Sequence, residues 1–184
     1  MLRLASSSPT RAELLRNAGI PFVQQSVDFD EDSILATSPK NFVYQATLGK
    51  YKTNFEAFGC ADYPLLVADT VVTAGGKILR KAKDETDARE ILATQSGSET
   101  DIITCMIYKT PRLELIDMSV TRYFFDPFEP EDLERYLQSG QWRGKAGACM
   151  VEGFCKPYIR EVRGFESTAM GLSVEILRIF MGEA

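Results

Sequence analysis

Alternating helical and strand patterns along the 184 residues predict an α/β protein built on a mixed β-sheet. Three observations carry that prediction. The chain opens on a strand, a hydroxyl-rich turn and a helix, in "LRLASSSPTRAELLRNAG". A continuous apolar run, "PLLVADTVV", has the length and composition of a buried strand. In mid-chain, "ETDIITCMIYKTPRLELIDMSVTRYFFD" alternates enough for two adjacent strands around a turn near Pro111.

Leu2, Leu4 and Ala5 form the first short strand. Ser8 is a favourable N-cap, and Pro9 suits the first helical position, where its missing N–H costs nothing. Leu14, Leu15 and Ala18 give the helix an apolar face, and Gly19 stands where a left-handed residue stops it. "IPFVQQSVDFDEDS" reads as a strand ending in the acidic cluster Asp28, Asp30, Glu31 and Asp32. Helical spacing follows in "SPKNFVYQATLGKYKTNFEAFG", with Phe42, Ala46, Gly49 and Thr53 as its expected inner face. Beyond "PLLVADTVV", Gly75-Gly76 marks a tight hairpin into a second short strand. "DETDAREILATQSG" is a helix opened by Asp84 and stopped at Ser96-Gly97, and "EPEDLERYLQSG" is another that closes at Gly140. "PYIREVRGF" is expected as a strand. "GLSVEILRIFMGEA" is expected as an amphipathic helix with Leu172, Ile176, Leu177 and Phe180 inward. No linker or internal repeat interrupts the pattern, so residues 1–184 are expected to form a single domain.

Apolar residues make up 45% and charged residues 26%, which is ordinary for a soluble globular protein. A net charge of −5 argues against a surface that coats nucleic acid, although it leaves a local basic pocket open. No stretch has the length of a membrane span, and the N-terminus lacks the layout of a signal peptide, so a cytoplasmic protein is expected. The four cysteines show no C-x-x-C pair, and reduced thiols are their simplest account. The absence of histidine excludes Ser-His-Asp and Cys-His catalysis and histidine metal ligation. Acid–base chemistry therefore falls to carboxylates, lysines, cysteines or tyrosines, and any metal would be a hard cation held by oxygen.

Asp69 is the most informative residue. A carboxylate inside an apolar strand is costly unless it is paired or holds a cation. A strand-end aspartate capping a turn is the plainer account, but two apolar residues follow Asp69-Thr70. Lys81 and Lys83 in "LRKAKD" and Lys145 in "RGKAGAC" stand beside small residues; singly, each would be an ordinary solvated lysine. Together with Ser8 and Arg11 at a helix N-terminus they would make a rim for phosphates. Carboxylates among cations suit polyphosphate chemistry. No Walker motif is present. Glu31 would be a solvated acidic residue by default, and Glu152, in the apolar setting "MVEGF", could face a ligand or bridge to a lysine.

The order of "LASSSPTRAELL", "DFDEDS", "FVYQATLGK", "VADTVV", "ILRKAKD", "QSG", "GKAGA", "EGF" and "GLSVEIL" resembles the Maf family of bacterial nucleoside triphosphate pyrophosphatases, with Lys81 standing 12 residues after Asp69. The resemblance implies a twisted mixed sheet flanked by helices, with two lobes enclosing a cleft, and often a homodimer. It implies cleavage of a nucleoside triphosphate between its α and β phosphates, giving a monophosphate and pyrophosphate. Asp69 matches the family's proton acceptor, with Lys81, Lys145 and Glu31 as further catalytic positions. Ser8, Arg11 and Lys50 match phosphate-side positions, and Thr70 and Glu152 match positions tied to substrate choice. A divalent cation, Mg²⁺ or Mn²⁺, would be held by Asp69 and Glu31. Whether Asp69 serves as base or as metal ligand is left open.

Several positions depart from the family pattern. Thr10 replaces an arginine, Arg80 and Ala82 replace glycine and proline, and Gly144 replaces a carboxylate. Glu152 stands where members preferring dTTP or UTP carry glutamine, while Thr70 resembles that same branch. An ionised glutamate only accepts hydrogen bonds, whereas glutamine both donates and accepts. The substrate is accordingly a canonical pyrimidine or a modified nucleotide such as 7-methyl-GTP. The alternative from another class is a catalytically weak nucleotide-binding regulator of cell division and septum formation.

Overall fold

The computed structural model describes residues 1–31, 34–36 and 38–182; Asp32 of the acidic cluster lies outside them. β1 (Leu2–Leu4), α1 (Pro9–Asn17) and β2 (Phe22–Gln24) open the chain, followed by α2 (Pro39–Phe58), β3 (Leu65–Ala74) and β4 (Lys77–Leu79). Then come α3 (Glu85–Gln95), β5 (Glu99–Lys109), β6 (Glu114–Phe125), α4 (Pro130–Ser139), β7 (Ile159–Arg163), α5 (Glu166–Ala169) and α6 (Val174–Met181). The seven strands form one sheet in the order β2-β1-β3-β5-β6-β7, with β4 paired to β3. β1 runs parallel to β2 and β3, while β3–β4 and β6–β7 are antiparallel, so the expected mixed α/β sheet is present.

Contacts group the chain into two compact units, residues 1–70, 103–120 and 165–184 in the first and 71–102 and 121–164 in the second. In the first unit the pleat of β3 sorts its side chains. Leu66 and Ala68 join Leu4, Ala12, Leu15, Met106, Tyr108 and Leu177 in one core. Leu65 and Val67 point the other way, onto Ala5 and Tyr51. That alternation follows from the two-residue period of a strand. The second unit is filled by aromatic packing: Phe128 meets Phe125, Phe154 and Tyr158 edge-on, and Phe154 stacks on Tyr136.

Local expectations hold at most helix ends. Ser8 Oγ accepts from the Arg11 backbone N–H, and Pro9 takes the first helical position. Asp84 caps α3 through Asp87 N–H. Gly75 and Gly76 both have positive φ, at 57° and 76°, as a two-residue hairpin of this hand requires.

Three expectations need correction. The inner face of α2 is Val43, Ala46, Thr47 and Asn54, not Phe42, Gly49 and Thr53. α5 was not expected. Cys149 and Cys155 are not reduced thiols; they form a disulfide, because the turn through Met150–Gly153 brings them to a Cα–Cα distance of 6.3 Å. Cys60 and Cys105 are free, and burial pushes the Cys105 thiol up to about 11.

Candidate functional site

Within the first unit, β1 has β2 on one side and β3 on the other, and the chain visits β2 first and β3 second. The carboxyl end of β1 is therefore a point where the winding of the sheet reverses, the place where open α/β sheets form ligand crevices. Ser6, Ser8 and Arg11 lie just beyond that end. Leu4 pairs with Leu66, so Asp69 and Thr70 extend past β1 on the neighbouring strand.

The pleat then sends these two residues to different helices. Asp69 shares the face of Leu65 and Val67 and meets α2: its Oδ1 accepts from Lys50 Nζ at 2.5 Å. Thr70 shares the face of Leu66 and Ala68 and meets α1: its Oγ1 accepts from Arg11 Nη2 at 3.1 Å. Asp69 is 7% exposed. A carboxylate so buried is tolerated because it is ionically paired.

Lys50 also holds Glu31, with Nζ–Oε1 at 2.5 Å, so one ammonium bridges two carboxylates. The segment carrying Glu31 is pinned to α2 at two points. Asn54 accepts from Val27 N–H and donates to Val27 C=O. The Phe29 ring lies on the bare backbone of Gly49, where an added Cβ would overlap it. Gly49→Ala separates packing from helix propensity by sign. Propensity alone would stabilise a helix by ~1 kcal/mol. Loss of the Phe29 seat is expected instead to destabilise by ~1–3 kcal/mol in urea unfolding, as overpacking does. A more stable variant would show that Phe29 does not anchor this segment.

Arg11 is held on three sides. Nε donates to Gly171 C=O at 2.8 Å, Nη1 to Ser6 Oγ at 3.0 Å and Nη2 to Thr70 Oγ1. Burial pushes its pKa down from the ordinary value, while the negative Asp69 and Glu31 act in the opposite direction. Three of its five N–H groups are used among the described residues, leaving two for a ligand.

In the second unit, Lys81 lies in an antiparallel bridge with Ala146, so Lys81 and Lys145 stand on neighbouring backbone segments. The turn carrying Lys145 is built from buried groups. Gly147 N–H donates to the carbonyls of Leu79 and Arg80, and Gln95 Nε2 donates to Gly147 C=O at 2.6 Å. Tyr136 Oη donates to Ala148 C=O. Gly147 has φ of 67°, and a Cβ there would sit 2.9 Å from Val72, so the close approach needs glycine. Glu152 is exposed in the turn closed by the disulfide. Burial pushes Tyr136 up to about 12, and the charge of Glu152 adds to the shift.

A family model described as "Maf-like protein" matches residues 1–184. The chain belongs to the Maf family. It is 58% identical over 179 residues to a protein of a Nitratiruptor species named nucleoside triphosphate pyrophosphatase, covering 96% of both chains. A protein of the same name from Helicobacter pylori (strain ATCC 700392 / 26695) is 43% identical, over 95% of this chain and 91% of its own length. Another, from Campylobacter jejuni subsp. jejuni serotype O:23/36 (strain 81-176), is 37% identical over 98% of this chain and 100% of its own.

In this Maf chain the first unit gathers Ser8, Arg11, Glu31, Lys50, Asp69 and Thr70, and the second carries Lys81, Lys145 and Glu152. Sequence reasoning passed over Ser6, Thr104 and Gly171, the groups that fix Arg11 and Thr70. Thr104 carried a usable signal: like Asp69, it interrupts an apolar strand, in "DIITCMIY". Among the described residues no cluster of three or more His, Cys, Asp or Glu could hold a metal. Asp69 and Glu31 nevertheless suit a hard divalent cation. Magnesium is commonly held by one or two carboxylates with substrate phosphates completing the shell, and Lys50 shows that a positive charge sits well between these two. Among the described residues no helix is long and apolar enough to cross a membrane.

Proposed function

We propose that this chain hydrolyses a nucleoside triphosphate to the monophosphate and pyrophosphate, by attack of water on the α phosphorus and departure of pyrophosphate. One observation carries the mechanism: a buried carboxylate, Asp69, sits beside an ammonium it shares with Glu31. Family membership and the names of the relatives support the reaction class.

Asp69 is assigned as proton acceptor. Its Oδ1 is taken by Lys50, and Oδ2 is left to orient a water and receive its proton. Arg11 and Lys50 offer cations to the phosphates, and Lys81 and Lys145 are assigned the same task by the motifs that they match. Ser8 holds the start of α1 in place beside Arg11. Glu152 and Thr70 are assigned to substrate choice by the motifs that they match. Asp69 and Glu31 would hold Mg²⁺ or Mn²⁺, which when bound would neutralise phosphate charge as a Lewis acid. A cytoplasmic homodimer completes the proposal.

The test is pyrophosphate release by the purified protein from dTTP, UTP, CTP, ITP, 7-methyl-GTP and 5-methyl-UTP, with each metal in turn. Release from one or two of these is expected. No release from any, with nucleotide binding retained, would replace the enzyme by a binding regulator.

A further inference from the structure

Behind Arg11 runs a line of hydroxyls whose polarity is forced at both ends. Arg11 Nη2 donates to Thr70 Oγ1 at 3.1 Å. Thr70 Oγ1 lies 2.9 Å from Thr104 Oγ1, and Thr104 Oγ1 donates to the Thr168 carbonyl at 2.7 Å. A guanidinium has no acceptor and a carbonyl has no proton. Thr104 has one proton and gives it to Thr168, so the hydrogen between the two threonines belongs to Thr70. The Thr70 hydroxyl is thereby spent inward as a donor and presents a lone pair to Arg11. Thr104 is fully buried, as is Thr168, so no water substitutes for either.

Nothing loosens the other sides of the guanidinium. Gly171 has φ of 106°, and a Cβ there would come within 3.2 Å of Arg11 Nε and 3.3 Å of Thr70 Oγ1. Ser6 Oγ, which accepts from Arg11, also accepts from Ser8 N–H at the start of α1.

We propose that Thr104 is a positioning residue: by fixing the proton of Thr70 it fixes Arg11 in the pose from which its two remaining N–H groups bind substrate phosphate. The activity arm of this proposal rests on the pyrophosphatase reading; its structural arm does not. Thr70, on this account, influences substrate through Arg11 and donates nothing to the base.

Thr104→Val keeps the shape and removes both the acceptor for Thr70 and the donor for Thr168. Without that acceptor, the Thr70 proton turns toward Arg11 and opposes its N–H. The loss of one charge-assisted contact is expected to raise KM for the best triphosphate about tenfold, with kcat within about threefold. Thr104→Ser, which keeps the hydroxyl, is expected to bring KM back to within about threefold of the parent. In an Arg11→Gln background, Thr104→Val should change nothing further, because the two act as one unit.

The structural arm reads the guanidinium of ¹⁵N-labelled protein by NMR. Restricted rotation should give separate Arg11 Nη–H signals in the parent and in Thr104→Ser, and one averaged signal in Thr104→Val. Unchanged Arg11 signals in Thr104→Val, or additive losses with Arg11→Gln, overturn the proposal. A parent that releases no pyrophosphate yet shows the NMR change would sink the enzymatic reading and leave the positioning role standing.

Discussion

Asp69→Asn is expected to lower turnover by at least ~10²-fold while the protein stays folded. Asparagine has the size of aspartate and can still accept from Lys50, so the strand and its packing against α2 are kept. It carries no charge and cannot take a proton from water. The measurement is pyrophosphate release on the best triphosphate beside a circular-dichroism melt. Turnover within a few-fold of the parent would remove Asp69 as proton acceptor. The side chain is 11% exposed and its paired oxygen is turned to Lys50, so the deficit should persist at high salt, which screens surface charges far more than buried ones.

Lys50→Met has the second large effect, and it acts on both activity and stability. Among the described residues Lys50 alone forms ion pairs with both Asp69 and Glu31. Methionine keeps the apolar stem and removes the ammonium, leaving two like charges facing each other. A fully buried pair broken this way costs about 3–5 kcal/mol. Here the Glu31 side chain is 41% exposed, so solvent screening lowers the expected cost to ~1–2 kcal/mol. For a chain of this length that is a fall of roughly 2–8 °C in Tm. Turnover should drop by ~10²-fold or more, the usual loss when a preorganised charge is removed beside a developing anion. A variant with parental Tm and turnover would show that Lys50 is a bystander.

Local rules account for most elements here. Caps at Ser8 and Asp84, the Gly75-Gly76 hairpin and the left-handed stop at Gly140 are properties of a few neighbouring residues. Periodicity failed on α2 because its buried face includes polar Thr47 and Asn54, whose hydrogen bonds to distant backbone cannot be read from spacing. Gly49, expected to face the core, instead makes room for Phe29. The Cys149–Cys155 pairing was hidden for a similar reason: a separation of six residues matches no redox motif, and the intervening turn brings the sulfurs together.

The order of motifs in the chain was enough to show the family resemblance and to mark candidate residues, because residue types and their spacing are read directly from the chain. Asp69 could be singled out by the cost of a carboxylate in an apolar strand, a penalty that needs no coordinates to recognise. What holds those residues could not be found that way. Adjacent Asp69 and Thr70 look alike in sequence, yet the pleat delivers one to Lys50 on α2 and the other to Arg11 on α1. Ser6, Thr104 and the Thr168–Gly171 turn come together around Arg11 and Thr70 from three parts of the chain. Hydrogen bonds depend on distances of about 3 Å and on direction, and only the folded chain sets those between residues as far apart as Arg11 and Gly171.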